Sequence, residues 1–139
     1  MNSGARILIT GATGAVGPPV VSAFHKAGYS VRTFSLDPPP QGIWPGDVET
    51  IIGDVTDAAA IGKSVKDVDC VVHLAALLHI VNPPPELREK YERISVGGTA
   101  NVVAAAVKAG VKRIVLFSTI AVYGPAGGRI LNEDTPPCP

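Results

Sequence analysis

A doubly wound α/β domain is the fold the sequence predicts, on three observations. Short runs rich in Val, Ile and Leu alternate with segments of helical periodicity; the runs are close to continuously apolar; and the first of them enters a glycine-rich turn at once. Strands that are apolar on both faces belong in a parallel sheet covered by helices on both sides. With right-handed crossovers and a reversal between the first and fourth strands, five strands take the order 3-2-1-4-5.

Arg6 to Thr10 is β-branched, short and followed by Gly11, which reads as a buried strand running into a tight turn. Val16, Val20, Phe24 and Ala27 then recur at helical spacing until Gly28 ends the pattern. Pro18 and Pro19 sit where this helix should begin, so a late or slightly distorted start is expected, not a regular helix from Gly14. Tyr29 to Ser35 is the second strand. The stretch Asp37 to Asp47 holds four prolines and two glycines, and is expected to be an extended loop. Glu49 to Ile52 is a short third strand. Thr56 or Asp57 can cap a helix over Ala58 to Val65, and Asp69 leads into a strand from Cys70 to Leu74.

After Pro83, Pro84 and Pro85, the series Leu87, Tyr91, Ile94, Gly98, Val102, Ala105 and Ala109 marks one long helix closed by Gly110. Val96, Val103 and Val107 lie on another of its faces, a candidate protein interface. Arg113 to Ser118 is the fifth strand, and the remainder is rich in glycine and proline.

The 139 residues, 46% of them apolar, suit one globular domain with a buried core. Twelve basic residues balance twelve acidic ones, which points away from nucleic acid and anionic membranes and towards a small-molecule partner. The apolar run from Cys70 to Val81 contains two histidines and is well short of the roughly 18 residues of a membrane span. A short apolar run followed by glycines at the N-terminus offers no secretory core, so a cytoplasmic location is expected. Cys70 and Cys138 have neither a metal-ligand nor a redox spacing, and read as a core residue and a loose thiol.

The run Gly11-Ala12-Thr13-Gly14-Ala15-Val16-Gly17 stands between a strand and a helix. A pyrophosphate needs backbone N–H groups there, helped by the partial positive charge of the helix N-terminus. Gly11 serves the sharp turn, Gly14 the approach of phosphates, and Gly17 close helix packing. At the end of the second strand, where an acidic residue reads ribose hydroxyls, the chain has Ser35-Leu36-Asp37, with no Arg or Lys in the glycine loop or at the strand end to meet a 2′-phosphate; Ser35 can donate to a hydroxyl or a phosphate, and Asp37 is the ribose reader if the strand ends late. The choice leans to NAD and leaves NADP open. At the end of the third strand Asp54, with the Val55 backbone beside it, is placed to accept from the adenine amino group; the alternative is a loop carboxylate capping the next helix.

Taken together, several ordered stretches resemble the extended short-chain dehydrogenase/reductase family, the NAD-dependent epimerase/dehydratase type. They are Thr10 to Gly17, Gly53-Asp54-Val55, His73-Leu74-Ala75-Ala76, Val96-Gly97-Gly98-Thr99-Ala100-Asn101-Val102, Gly110-Val111-Lys112-Arg113, Ser118-Thr119-Ile120-Ala121-Val122-Tyr123-Gly124 and Glu133-Asp134-Thr135-Pro136. The resemblance implies a Rossmann-like sheet covering residues 1–139, truncated before the later strands. It implies that Leu74, Ala75 and Ala76 lie along the ribose and pyrophosphate, that Ser118 is near the cofactor, and that Thr119 hydrogen-bonds the substrate oxygen undergoing hydride transfer. Ser95 takes the place of the family's usual asparagine beside the cofactor, and Leu78 offers no polar group to the pyrophosphate.

The family's general base is a tyrosine four residues before a lysine, whose charge lowers the phenol's pKa. Thr33, Ser95 and Gly127 stand four residues beyond Tyr29, Tyr91 and Tyr123, so Tyr123 is not that base and the pair is expected downstream. The 139 residues then read as the cofactor-binding part of an enzyme about twice as long, inactive alone. The resemblance implies an NAD(P)-dependent oxidoreductase, epimerase or dehydratase, acting on a nucleotide sugar first and a sterol-like or other alcohol second. A non-catalytic dinucleotide sensor or scaffold is the alternative. The long helix commonly builds a dimer in the family, so a homodimer is expected of the full-length enzyme. Of the histidines, His73 reads as structural, His25 as solvent-facing on the first helix, and His79 as a loop residue able to face substrate.

Overall fold

The computed structural model describes residues 4–77 and 84–138. Its five parallel strands are β1 (Arg6–Thr10), β2 (Ser30–Ser35), β3 (Glu49–Ile52), β4 (Cys70–His73) and β5 (Arg113–Leu116), in the order β3-β2-β1-β4-β5. β1 is central and pairs on both edges, with Ile9 opposite Thr33 on one side and Val72 on the other. The reversal between β1 and β4 opens a crevice at the C-terminal ends of these strands, where ligands of such sheets bind.

Alternation along β1 divides the core into two layers. Leu8 joins Phe34, Val71, Ile61, Val102 and Ala106 beneath two helices, α2 (Ala58–Ser64) and α4 (Gly98–Lys108). Ile7 and Ile9 join Val31, Val72 and Val21 beneath α1 (Gly17–Lys26) on the opposite face. Both faces of the central strands are therefore sealed, which is why their sequences lack polar alternation. Cys70 is buried in the α1 layer, where desolvation pushes its thiol up.

Helix α1 begins at Gly17 with both prolines in its first turn, as their missing N–H groups require, and Gly28 follows its end at φ +84°. The Asp37 to Asp47 stretch forms turns and no helix. Asp57 caps α2, its carboxylate accepting from the amides of Ala59 and Ala60 at 3.0 and 3.1 Å. The long helix expected after the prolines is not uniform. It comprises α3 (Pro85–Tyr91), a π-helical turn over Glu92–Gly97, and α4. Three- and four-residue steps persist through the wide turn, so periodicity does not reveal it. Strands β2, β4 and β5 are each shorter than expected by one or two residues at an end.

At the N-terminal end of the sheet, buried Arg32 ties three elements together. Its guanidinium pairs with Glu49 of β3 at 2.8 Å and donates to the carbonyls of Ser64 and Lys66 at 2.8 and 2.7 Å. His25 is not simply solvent-facing, since its half-buried ring meets Asp47 at 2.9 Å and anchors the proline-rich loop to α1. Among the described residues no helix is long and apolar enough to cross a membrane.

Candidate functional site

The glycine run leaves β1 through a turn that only glycine tolerates. Gly11 has φ +69°, and a Cβ there would lie 2.7 Å from the backbone N and Cα of Ala75. A Cβ on Gly17 would overlap the Ala12 carbonyl, so its packing role is against the start of the loop itself. Gly14 meets only the Gly11 carbonyl, 3.3 Å from a Cβ, and otherwise faces open space. The amides of Gly11, Gly14 and Gly17 are consumed by the carbonyls of Phe34, Gly11 and Gly14 at 2.8, 3.1 and 3.1 Å. Pro18 and Pro19 have no amide to offer. The exposed amides of Ala15 and Val16 donate to no described residue, which leaves them open to an anion at the start of α1.

Ser35, at the end of β2, is buried and its Oγ accepts from the amide of Thr13 at 3.2 Å. It thereby holds the glycine loop, a role the sequence reading missed. The strand stops there, so Asp37 stands two residues beyond, with Leu36 65% exposed between them. At the end of β3 the amide of Gly53 donates to the Ser35 carbonyl at 2.8 Å, and a Cβ on Gly53 would strike the ring of Phe34. Asp54 Oδ1 accepts from the Thr56 amide at 2.8 Å, closing a local turn; it does not cap α2, whose cap is Asp57, and its other oxygen accepts from no described residue. Two residues of α4 hold the next position: Asn101 donates to the Val55 carbonyl at 3.0 Å, and Gly98 lets the helix rest on the Val55 side chain.

These strand ends enclose a pocket of about 260 Å³. It brings together Gly11, Thr13, Gly14, Ser35, Asp54, Val55, Leu74, Ala75 and Ala76 of the expected site, and adds Phe34, Leu36, Asp37, Gly53, Leu77 and Ile94. Ala15, Val16, Gly17, Ser95, Ser118 and Thr119 do not line it. A larger groove, about 660 Å³, runs between α2 and α4, but its alanines and lysines lie on the helix flank away from the strand ends.

Beneath the pocket, His73 is 2% exposed and stands between two hydroxyls: Nδ1 meets Thr10 Oγ1 at 2.6 Å and Nε2 meets Thr99 Oγ1 at 3.0 Å. Burial pulls its pKa below the ordinary histidine value. Thr99 donates to the Ser95 carbonyl at 2.5 Å, and Ser95 Oγ accepts from the Leu77 amide at 3.4 Å. Ser95 therefore braces the segment after β4 and does not line the pocket. The one signal for Thr10 and Thr99 in the sequence is a polar residue closing an apolar strand and another inside the Gly-Gly-Thr stretch.

Beyond β5 the chain enters a 3-10 turn over Ile120–Tyr123, with exposed Thr119 at its N-cap accepting from the Ala121 amide at 3.2 Å. Tyr123 closes that turn. The tail folds back, the Cys138 amide donating to the Val122 carbonyl at 2.8 Å, while the thiol side of Cys138 is exposed. Leu78 and His79 lie outside the described residues. Among the described residues no three His, Cys, Asp or Glu gather as a metal site.

Residues 7–139 match the model of the NAD dependent epimerase/dehydratase family. The chain is 32% identical over 132 residues to a 3-beta-hydroxysteroid dehydrogenase of Mycolicibacterium neoaurum, covering 93% of this chain and 36% of that protein. It is 30% identical to a UDP-glucose 4-epimerase of Azospirillum brasilense, over 96% of this chain and 39% of that one. The structure of MoeE5 in complex with UDP-glucose and NAD superposes with a TM-score of 0.85 at 33% identity, over 97% of this chain and 43% of MoeE5. The chain thus spans well under half the length of these relatives. With the five-stranded order, the open loop amides and this match in agreement, the chain belongs to the NAD-dependent epimerase/dehydratase family of the short-chain dehydrogenase/reductases.

Proposed function

We propose that these residues form the NAD-binding part of an oxidoreductase, epimerase or dehydratase acting on a small-molecule alcohol or ketone. The observation that carries this reading is the pair of unspent amides, Ala15 and Val16, which directly follow Gly14 of the pocket lining and precede α1. A pyrophosphate fits this cradle: Gly14 presents no side chain, and the helix N-terminus adds favourable charge. The adenosine would lie across Ser35, Leu36 and Asp37, with Asp37 reading the ribose and the free oxygen of Asp54 and the Val55 backbone meeting the adenine edge. Leu74, Ala75 and Ala76 would form the floor beneath ribose and pyrophosphate.

When bound, the nicotinamide supplies a hydride acceptor or donor. The role of this chain is to orient the substrate oxygen through Thr119, with Ser118 beside the cofactor. Thr119 Oγ1 already accepts from Ala121, and its own O–H remains to donate. The acid/base tyrosine would come from a Tyr-x-x-x-Lys beyond residue 139, which makes the 139-residue chain inactive by itself. A nucleotide sugar is the first substrate class, supported by the likeness to a UDP-glucose 4-epimerase and to MoeE5. A sterol-like alcohol is the second, supported by the 3-beta-hydroxysteroid dehydrogenase. A homodimer of the full-length enzyme would use Val96, Val103 and Val107, which are 67%, 41% and 71% exposed.

Calorimetric titration of this chain with NAD and NADP tests the reading. Saturable heat with NAD, weaker with NADP, is expected because no Arg or Lys stands at Ser35 to Asp37 to meet a 2′-phosphate. Absence of heat with both dinucleotides would overturn it. The full gene product separates enzyme from sensor: a Tyr-x-x-x-Lys within about twenty residues of Pro139 supports catalysis, and a full-length chain without one supports a sensor or scaffold.

A further inference from the structure

We infer that His73 is a positioning residue for the dinucleotide site, locked between Thr10 and Thr99 as one neutral tautomer and aiming the segment from Leu74 to Leu77 that floors the pocket. The inference rests on the cofactor reading above and adds a role for a residue that lines no part of the pocket.

Donor and acceptor counting fixes every proton in the relay. The Ser95 carbonyl can only accept, so the single hydroxyl proton of Thr99 is spent on it at 2.5 Å. Thr99 Oγ1 must then accept from His73 Nε2–H across 3.0 Å. In a neutral ring the other nitrogen is an acceptor, so Nδ1 receives the Thr10 hydroxyl proton across 2.6 Å. Thr10 Oγ1 keeps its lone pairs facing the Ala75 amide at 3.5 Å, and the Thr10 carbonyl accepts from the Leu74 amide at 3.1 Å. On the far side, Ser95 Oγ takes the Leu77 amide. Both ends of the pocket floor are thus referred to one imidazole, which also joins the end of β4 to the π-helical turn. Burial favours the uncharged ring this arrangement needs.

The arrangement has room for only one tautomer. Thr10 Oγ1 could accept from an Nδ1–H ring by turning its hydroxyl, but such a ring would leave Nε2 facing the spent Thr99 hydroxyl as two acceptors, so the Thr99 end selects the tautomer. A phenylalanine of similar size would fill the space and hold neither side.

The test combines nitrogen-15 NMR of the histidine rings with NAD titration of this chain, its Thr99→Val and Thr99→Ser variants, and His73→Phe. The expected wild-type spectrum shows His73 protonated at Nε2 and bare at Nδ1. Thr99→Val should weaken NAD binding at least about five-fold, the size of one hydrogen bond, while Thr99→Ser restores it. The amides of Ala75 and Leu77 should exchange faster in Thr99→Val while those of β1 do not. An Nδ1-protonated ring, or equal NAD affinity and equal Ala75 and Leu77 protection in all variants, would overturn the inference. Should the wild-type chain bind no dinucleotide, the cofactor reading fails, and the ring spectrum and amide exchange still decide the positioning claim. Should His73→Phe not fold, Thr99→Val carries the test.

Discussion

Individual residues at this site are constrained more by what surrounds their Cα than by their own chemistry. Gly11 and Gly28 both have positive φ, but only Gly11 is crowded; nothing lies within 4 Å of a Cβ on Gly28. Gly28→Ala should therefore cost only the left-handed conformation, about 1–2 kcal/mol. Gly11→Ala adds a collision with Ala75 and should both lower the melting temperature further and weaken NAD binding more than ten-fold; parallel thermal melts and titrations of the two variants check the contrast. His73 gives a pH signature. Its folded pKa lies below the unfolded value, so the unfolded chain binds the proton first as pH falls below about 6.5. Stability from this group is complete above that pH and declines on acidification until the folded pKa is passed. Urea midpoints from pH 7.5 to 5 should fall in the wild type and fall less in His73→Phe. Much of the pocket lining was legible: strand ends and glycines point to Gly11, Gly14, Ser35 and Asp54 without coordinates, and the family resemblance adds Ala75. The bracing bonds of Ser35, Ser95 and Thr99 were not, because a hydroxyl carries no sign in the sequence of whether it meets a ligand or a neighbouring amide.

Among the elements, the strand ends are the parts most dependent on long-range polar contacts. Arg32 sits in β2 yet satisfies two carbonyls at the end of α2 and a carboxylate on β3. Arg32→Met keeps much of the stem's packing but leaves the Ser64 and Lys66 carbonyls short of a donor, so a loss of about 1–3 kcal/mol is expected in chemical denaturation, with cofactor affinity little changed at the opposite end of the sheet. Asp69 plays the matching part between β1 and β5. The Lys112 ammonium and then the Arg6 amide hold its carboxyl below the ordinary range. Its contribution is present above the unfolded carboxyl pKa near 3.9 and is lost as pH falls through the lower folded value. The stability gap between wild type and Asp69→Asn should accordingly narrow below about pH 4. Strands and helix stops were readable from β-branched runs, the Asp57 cap and Gly28 and Gly110. The π-helical turn was not: the contacts around it, Gly98 on Val55 and Ile94 on the core beneath α2 and α4, are long-range and leave no mark on the local periodicity.

Over the whole molecule, strand order was legible because a parallel sheet of near-continuous apolar strands has few permitted right-handed connections. The exposure of one margin was not, because β5 reads in sequence like any buried strand. Val115, Leu116 and Phe117 are 38%, 55% and 49% exposed on this edge. An apolar edge strand with unpaired backbone groups is a template for association. The isolated chain should sediment as larger species with rising concentration, and Leu116→Lys should shift it towards monomer; concentration-independent sedimentation of the wild type would argue against this edge as the cause. The central position of β1 has a kinetic counterpart. Its residues Ile7, Leu8 and Ile9 are wholly buried and its backbone is paired on both sides, so its amides are released only when the sheet opens as a whole. Thr119 follows β5, an edge strand paired on one side only. The glycine loop that leaves β1 and the turn that leaves β5 are thus anchored unequally: amide hydrogen exchange is expected to be slowest through Ile7 to Ile9 and faster through Arg113 to Leu116.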